Sequence, residues 1–194
     1  MVKSTKQSLI EAAIDLFAEK GVHWVSFQQI GTRVGITQAA LYKHFADKDD
    51  LLRECALHAA SSGRSLIDTH VEAAESPLDK IRAYLRGNFE WQRKRPKEAV
   101  IILSVYYFGY NSKPLQNLLQ AINQQSEERL TSRLKEAAAD GKIKNSQLAR
   151  KARTLHSLML GELIKAVHDP KAMSTDQRVH LIWQNFEAML AAQN

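Results

Sequence analysis

Cysteine is nearly absent: Cys55 stands alone among 194 residues. No disulfide can therefore close within the chain, and such usage fits a reducing compartment. Four prolines and eight glycines are too few for a loop-rich or disordered chain. Long apolar runs are missing as well. The longest, AVIILSVYYFGY from Ala99 to Tyr110, falls short of the roughly 20 residues that cross a bilayer. The opening MVKSTKQSLIEAAIDLF carries Glu11 and Asp15 inside its apolar part, which argues against a secretory signal. These absences predict a cytoplasmic protein with no membrane partner.

Catalytic signatures are equally scarce. Cys55 and His58 share one side of a predicted helix, but no acid, oxyanion loop or glycine-rich phosphate cradle accompanies them. His156, His168 and His180 are widely spaced and interrupted by Pro170, unlike a metal-ligand set. The expectation is a protein that is not an enzyme and needs no metal or other cofactor.

Charge is present, at a net +6, which invites a nucleic-acid reading. Its distribution points elsewhere. Residues 1–60 hold seven Lys/Arg against seven Asp/Glu, and the remaining 134 hold 20 against 14. The excess gathers at QRKRPK (Gln92 to Lys97) and RKAR (Arg150 to Arg153). Arg93 to Lys97 suits either an acidic partner or a solvated loop corner.

Apolar residues recur at helical rather than alternating spacing almost throughout, which predicts an all-α fold of about nine helices. Leu9, Ala13, Leu16 and Phe17 make one face of a first helix that stops at Gly21. Ser26 and Gln29 fit a capping box for a second helix ending at Gly35. Thr37 caps a third, from Gln38 to about Phe45, and Asp47 a fourth, reaching about Ala73. Pro77, Pro96 and Pro114 open three more. The run after Pro96 is β-branched and aromatic enough for a strand, but with no partner strand in view it reads as a buried helix. Ser146 to His168 and Ser174 to about Gln193 make the last two.

The stretch GITQAALYKHF (Gly35 to Phe45) carries the functional signal. Two short helices joined by a tight glycine turn form a helix-turn-helix pattern. Leu41 and Phe45 point to a core, which at 100° per residue leaves Gln38, Ala39, Tyr42 and Lys43 on the opposite side. That face suits a DNA major groove. Gln38 offers a donor and an acceptor to adenine, and Ala39 permits close approach or touches a thymine methyl. Thr37 lacks a glutamate at N3, so its hydroxyl is not committed to a reciprocal capping box and suits a phosphate or base, while Tyr42, Lys43 and His44 suit phosphate oxygens. Lys48 adds a cation at a helix start whose amides attract anions. Ser26 and Gln28, opening the second helix, complete the candidate DNA-contacting set. A merely solvated polar face is the bland alternative.

The wider constellation resembles the TetR family of bacterial transcriptional regulators. The resemblance covers Ala12 to Leu52: Phe17, Gly21, Ser26, the turn GIT, Leu41-Tyr42, His44-Phe45, Lys48 and Leu51-Leu52 stand in the family's order. Two positions depart from it, with Gly31 where alanine is usual and Ala39 where glycine is frequent. The resemblance implies a DNA-binding head over residues 1–46. It also implies an effector-binding and dimerisation body over residues 47–194, acting as a homodimer on double-stranded DNA with a palindromic operator. Heads of such a dimer sit about 34–36 Å apart, or a multiple of that.

Within the body, Val179, Ile182, Phe186 and Met189 repeat like a helix-packing seam. Leu155, Leu158 and Ile164 offer a second, with Gly161 permitting close approach. These eight are the expected dimer interface, the alternative being packing within one chain. A pocket for a small, mainly apolar effector is expected where small residues face bulky ones. Its candidates are Cys55, Ala59, Gly63, Tyr84, Asn88, Trp91, Gln92, Tyr106, Tyr107 and Met159. The same contrast also describes ordinary interlocking. The reading is a ligand-responsive repressor; the alternative is an architectural or protein-regulated DNA-binding factor with no small-molecule inducer.

Overall fold

A computed structural model describes residues 5–191. Among the described residues the regular elements are all helical. They are α1 (Thr5–Lys20), α2 (Phe27–Val34), α3 (Gln38–Leu41), α4 (Lys48–Glu72), α5 (Pro77–Lys94), α6 (Pro96–Phe108), α7 (Lys113–Ala139), α8 (Leu148–His168) and α9 (Thr175–Ala191). Short 3-10 turns lie at Val22–Trp24 and Gly109–Asn111. The end of the last helix near Gln193 lies outside the described residues.

Local signals set most boundaries. Ser26 Oγ accepts from Gln29 N–H at 3.2 Å and Gln29 Oε1 from Ser26 N–H at 2.8 Å, closing the capping box. Gly35 takes φ 80°, the left-handed conformation that ends α2. Two expected spans are corrected. The third helix stops at Leu41 because the chain tightens into i→i+3 bonds, Lys43 N–H to Ala40 O at 3.3 Å and His44 N–H to Leu41 O at 2.8 Å. The eighth starts at Leu148, not beside Ser146, because Gln147 sits at φ 53°. A second capping box, between Ser174 and Gln177, opens α9.

Packing divides the chain into two compact units, Met1–Ser62 with Arg95–Gln120, and Gly63–Lys94 with Ala121–Asn194. The boundary expected at 46/47 does not coincide with this division. Leu51, Leu52, Cys55 and Ala56 of α4 are fully buried in the same core as Leu9, Phe17, Ile30, Leu41 and Phe45. The head therefore cannot close its apolar interior without the first turns of α4.

In the first unit, Ile101 and Val105 of α6 join that core. Lys97 ties α6 to α1 through Asp15 at 2.8 Å and Glu19 at 3.0 Å. The expectation of a wholly buried helix here is corrected: Tyr107 is 77% exposed, since a single apolar face suffices to pack α6 on α1.

In the second unit, α5, α8 and α9 pack on one another. Their core includes Leu85, Phe89, Leu155, Met159, Val179, Ile182, Trp183 and Phe186. Buried Arg178 is held by Glu162 Oε2 at 3.0 Å and by the Asp169 carbonyl at 3.1 Å. This burial corrects half of the expected dimer interface: Leu155, Val179, Ile182 and Phe186 are inside the chain. A three-four apolar spacing marks a covered face without saying what covers it. Of the other four, Ile164 is exposed, while Leu158, Gly161 and Met189 are half-buried. A Cβ added at Gly161 would meet nothing within 4 Å.

Candidate nucleic-acid interface

The head turns its polar residues outward because its apolar ones are fully used. Leu41 and Phe45 are buried at 0% and 1% exposure. Between and around them Thr37, Gln38, Ala39, Tyr42, Lys43 and His44 are all exposed, as are Ser26 and Gln28 on α2. Thr37 Oγ1 accepts from Ala40 N–H at 3.3 Å, so this hydroxyl oxygen caps α3. The Tyr42 ring leans on Phe27 at 5.0 Å, which steadies the phenol at the surface. Lys43 makes no ion pair among the described residues. Arg33, near the end of α2, and Trp24, 76% exposed and two residues before the Ser26 cap, are further exposed side chains of the head. Sequence reasoning passed over both because neither fits the recurring apolar pattern.

Gly31 explains one departure from the family pattern. A Cβ there would meet the Ile36 carbonyl oxygen at 2.6 Å and Leu41 Cδ1 at 3.1 Å. The same carbonyl region is drawn in by the bond from Ile36 N–H to Gly31 O at 2.9 Å. The usual alanine does not fit this backbone unless the turn shifts.

Lys48 is placed differently from the expected phosphate contact. Its Nζ donates to the Val22 carbonyl at 3.2 Å and the His23 carbonyl at 3.1 Å. The ammonium therefore caps the 3-10 turn after α1. The start of α4 is also already supplied with anions: Asp47 Oδ1 accepts from Asp50 N–H at 2.8 Å. Burial pushes the Asp50 carboxyl up, but the Ala46 N–H and the Arg53 guanidinium outweigh it and hold the group below its ordinary value. A phosphate would meet carboxylates there, not free amides.

The expected pocket residues come from both units. Cys55, Ala59, Tyr106 and Tyr107 belong to the first unit, and Gly63, Tyr84, Asn88, Trp91, Gln92 and Met159 to the second. Cys55 is fully buried and donates to the Ile10 carbonyl at 3.7 Å. Burial, with Glu54 nearby, pushes its thiol well above the ordinary range, which favours the protonated form. Within the second unit, the space at Gly63 is filled by the Trp91 indole, 3.3 Å from where a Cβ would stand. Asn88 Nδ2 donates to the Tyr84 carbonyl at 2.8 Å, and Gln92 Nε2 to the Ala166 carbonyl at 3.4 Å.

Two family models match this chain. The bacterial regulatory proteins of the tetR family match residues 9–55, and the C-terminal region of the BetI-type transcriptional repressors matches residues 77–191. The second alone covers more than half of the sequence. The chain belongs to the TetR family of transcriptional regulators. Members of the TetR family are DNA-binding transcription factors without enzymatic activity. Relatives include the "Probable acrEF/envCD operon repressor" of Escherichia coli (strain K12), 29% identical over 140 residues, 62% of this chain and 63% of that protein. The HTH-type transcriptional regulator BetI of Yersinia pestis (strain Pestoides F) is 27% identical over 120 residues, 61% of each. The match thus spans less than two thirds of either relative's length. A solved transcriptional regulator from Rhodococcus sp. Rha1 superposes with a TM-score of 0.83 at 17% identity over 97% of both chains. The fatty acid degradation regulator FadR of Bacillus halodurans does so with 0.78 at 16% identity, covering 98% of this chain and 97% of that one. At such identities these two establish the TetR-type fold alone. No helix of the described residues is long and apolar enough to cross a membrane.

Replacing Lys48 by Met is expected to lower unfolding stability in urea by about 1.5–3 kcal/mol, the range for hydrogen bonds to a charged group. Unchanged stability combined with weaker binding to DNA would return Lys48 to the phosphate-contacting set.

Proposed function

We propose that this TetR-family regulator is a repressor that binds a palindromic operator as a homodimer and is released by a small, mainly apolar effector. In this reading residues 1–46 carry the DNA contacts and residues 47–194 the effector and dimer functions. The observation that carries the DNA arm is the exposure of Gln38, Ala39, Tyr42 and Lys43 on a segment whose Leu41 and Phe45 are sealed in the core. Those four side chains do no packing work that would account for their identities, apart from the Tyr42 ring. Gln38 reads an adenine edge, Ala39 lets the backbone approach, and Tyr42, Lys43 and His44 hold phosphates. Thr37, Ser26 and Gln28 contribute to backbone positioning, and Lys48 acts by holding the turn that carries them.

Dimerisation in this reading uses the outward sides of α8 and α9. Leu158, Gly161 and Ile164 remain partly or wholly exposed, and Leu181, 37% exposed, adds an apolar group the sequence pattern overlooked. Met189 sits at the edge of the second core. The four buried seam residues support the surface from beneath.

The effector arm draws on family membership and on the buried amides of Asn88 and Gln92, which would orient a ligand among Tyr84, Trp91 and Met159. Effector binding then favours a body conformation in which the head spacing no longer matches the operator. The filled space at Gly63 favours a second reading, a DNA-binding factor controlled without a small-molecule inducer.

Gel shifts on the DNA flanking the protein's own gene test the first arm. A salt-sensitive complex on a palindrome is expected. Gln38→Ala should cost about 1–3 kcal/mol of discrimination at one base pair, while Lys43→Ala should weaken all sequences alike and lower the salt slope by about one. A change of specificity in Lys43→Ala would reverse the two assignments. For the dimer, Ile164→Glu should give a folded monomer by sedimentation, because an unpaired charge cannot be buried in an apolar interface. A dimer unaffected by that change would place the interface elsewhere.

A further inference from the structure

The second unit holds a solvent-open cavity of about 540 Å³ that none of the residues above explains. Its lining combines apolar side chains, among them Trp183, Ile143 and Leu190, with the cations Lys142, Lys144 and Lys151. Its size falls within the range of small-molecule sites, which are mostly apolar with a few placed polar groups.

Lys151 is the unusual member. Its side chain is 1% exposed, yet its one hydrogen bond is a long 3.5 Å contact to the Lys144 carbonyl. No carboxylate among the described residues pairs with it. An ammonium has three donors to satisfy, and a buried charge without a partner is costly. The buried Arg178 of the same unit shows the ordinary solution, with Glu162 and a carbonyl in hydrogen-bond contact. Among the described residues the only carboxylate lining the cavity is Glu187, and it is already engaged: it accepts from Trp183 Nε1 at 2.5 Å and lies 3.5 Å from Arg82. Burial, with the like charges of Arg150 and Lys144 nearby, lowers the Lys151 ammonium from its ordinary value.

We propose that this cavity binds an organic monoanion with an apolar body, its acid group on Lys151 and its body against Trp183, Ile143 and Leu190. Lys142, exposed at the mouth, attracts the anion but is screened by salt. Arg82, whose guanidinium stacks over the Trp183 ring at 4.2 Å, keeps the indole wall in place. The site is separate from the effector reading, and the test below contains no DNA, so either can fail alone.

The probe is 4-phenylbutyrate, with neutral 4-phenyl-1-butanol of matching shape, titrated by calorimetry into the full chain at pH 7.5. Saturable one-to-one binding of the acid is expected, at least tenfold tighter than the alcohol. Lys151→Met keeps the apolar stem and removes the charge; it should lose at least tenfold in affinity for the acid and little for the alcohol. Lys135→Met, outside the cavity, should bind as the parent does. Quenching of tryptophan fluorescence by the acid should vanish in Trp183→Phe. Equal affinity for acid and alcohol, or an unchanged Lys151→Met, would overturn the proposal. The acid–alcohol comparison on the unaltered protein decides the matter even if Lys151→Met fails to fold.

Discussion

Leu41 and Phe45 lie four residues apart, and their joint burial decides the direction of every side chain between Thr37 and Lys48. Each buried group of this kind contributes about 1.5–3 kcal/mol, far more than any single surface contact of the segment. With both anchored among Leu9, Phe17, Ile30, Leu51 and Leu52, the short α3 cannot rotate about its axis. Its polar residues are then fixed outward with few contacts of their own, the Thr37 cap and the Tyr42 ring on Phe27 among them. A helix of four residues could not hold that orientation alone; the Thr37 cap, the tightened turn after Leu41 and the Asp47 cap supply the rest.

The same constraint organises the surrounding parts. Gly31 exists to let the Ile36 carbonyl come close, which brings the turn within reach of Leu41. Lys48 gathers the Val22 and His23 carbonyls that would otherwise lack partners at the end of a short turn. The first half of α4 belongs to the head core through Leu51, Leu52, Cys55 and Ala56. A displacement of α4 would therefore be felt at once by the surface that carries Gln38.

Much of this was legible in the sequence. Helix number, the Ser26 capping box, the Gly35 stop and the inward pair Leu41 and Phe45 follow from local chemistry that tertiary packing had no reason to override. The carbonyl partners of Lys48 were not legible, since they lie 25 and 26 residues away, invisible to local spacing. Leu155, Val179, Ile182 and Phe186 were assigned to a dimer because periodicity records that a face is covered and not by which chain. Small-opposite-large contrast is ambiguous in a related way: it describes Gly63 under Trp91 as well as it describes a cavity. Lys151 gave no signal at all, since a lysine in a basic cluster looks solvated until the fold buries it.

Backbone amide chemical shifts, followed while an operator duplex is added to the labelled protein, test the central claim most directly. The largest changes are predicted at Gln38, Ala39, Tyr42 and Lys43, with smaller ones at Ser26 and Gln28. Changes concentrated on another surface, or none at low ionic strength, would contradict it.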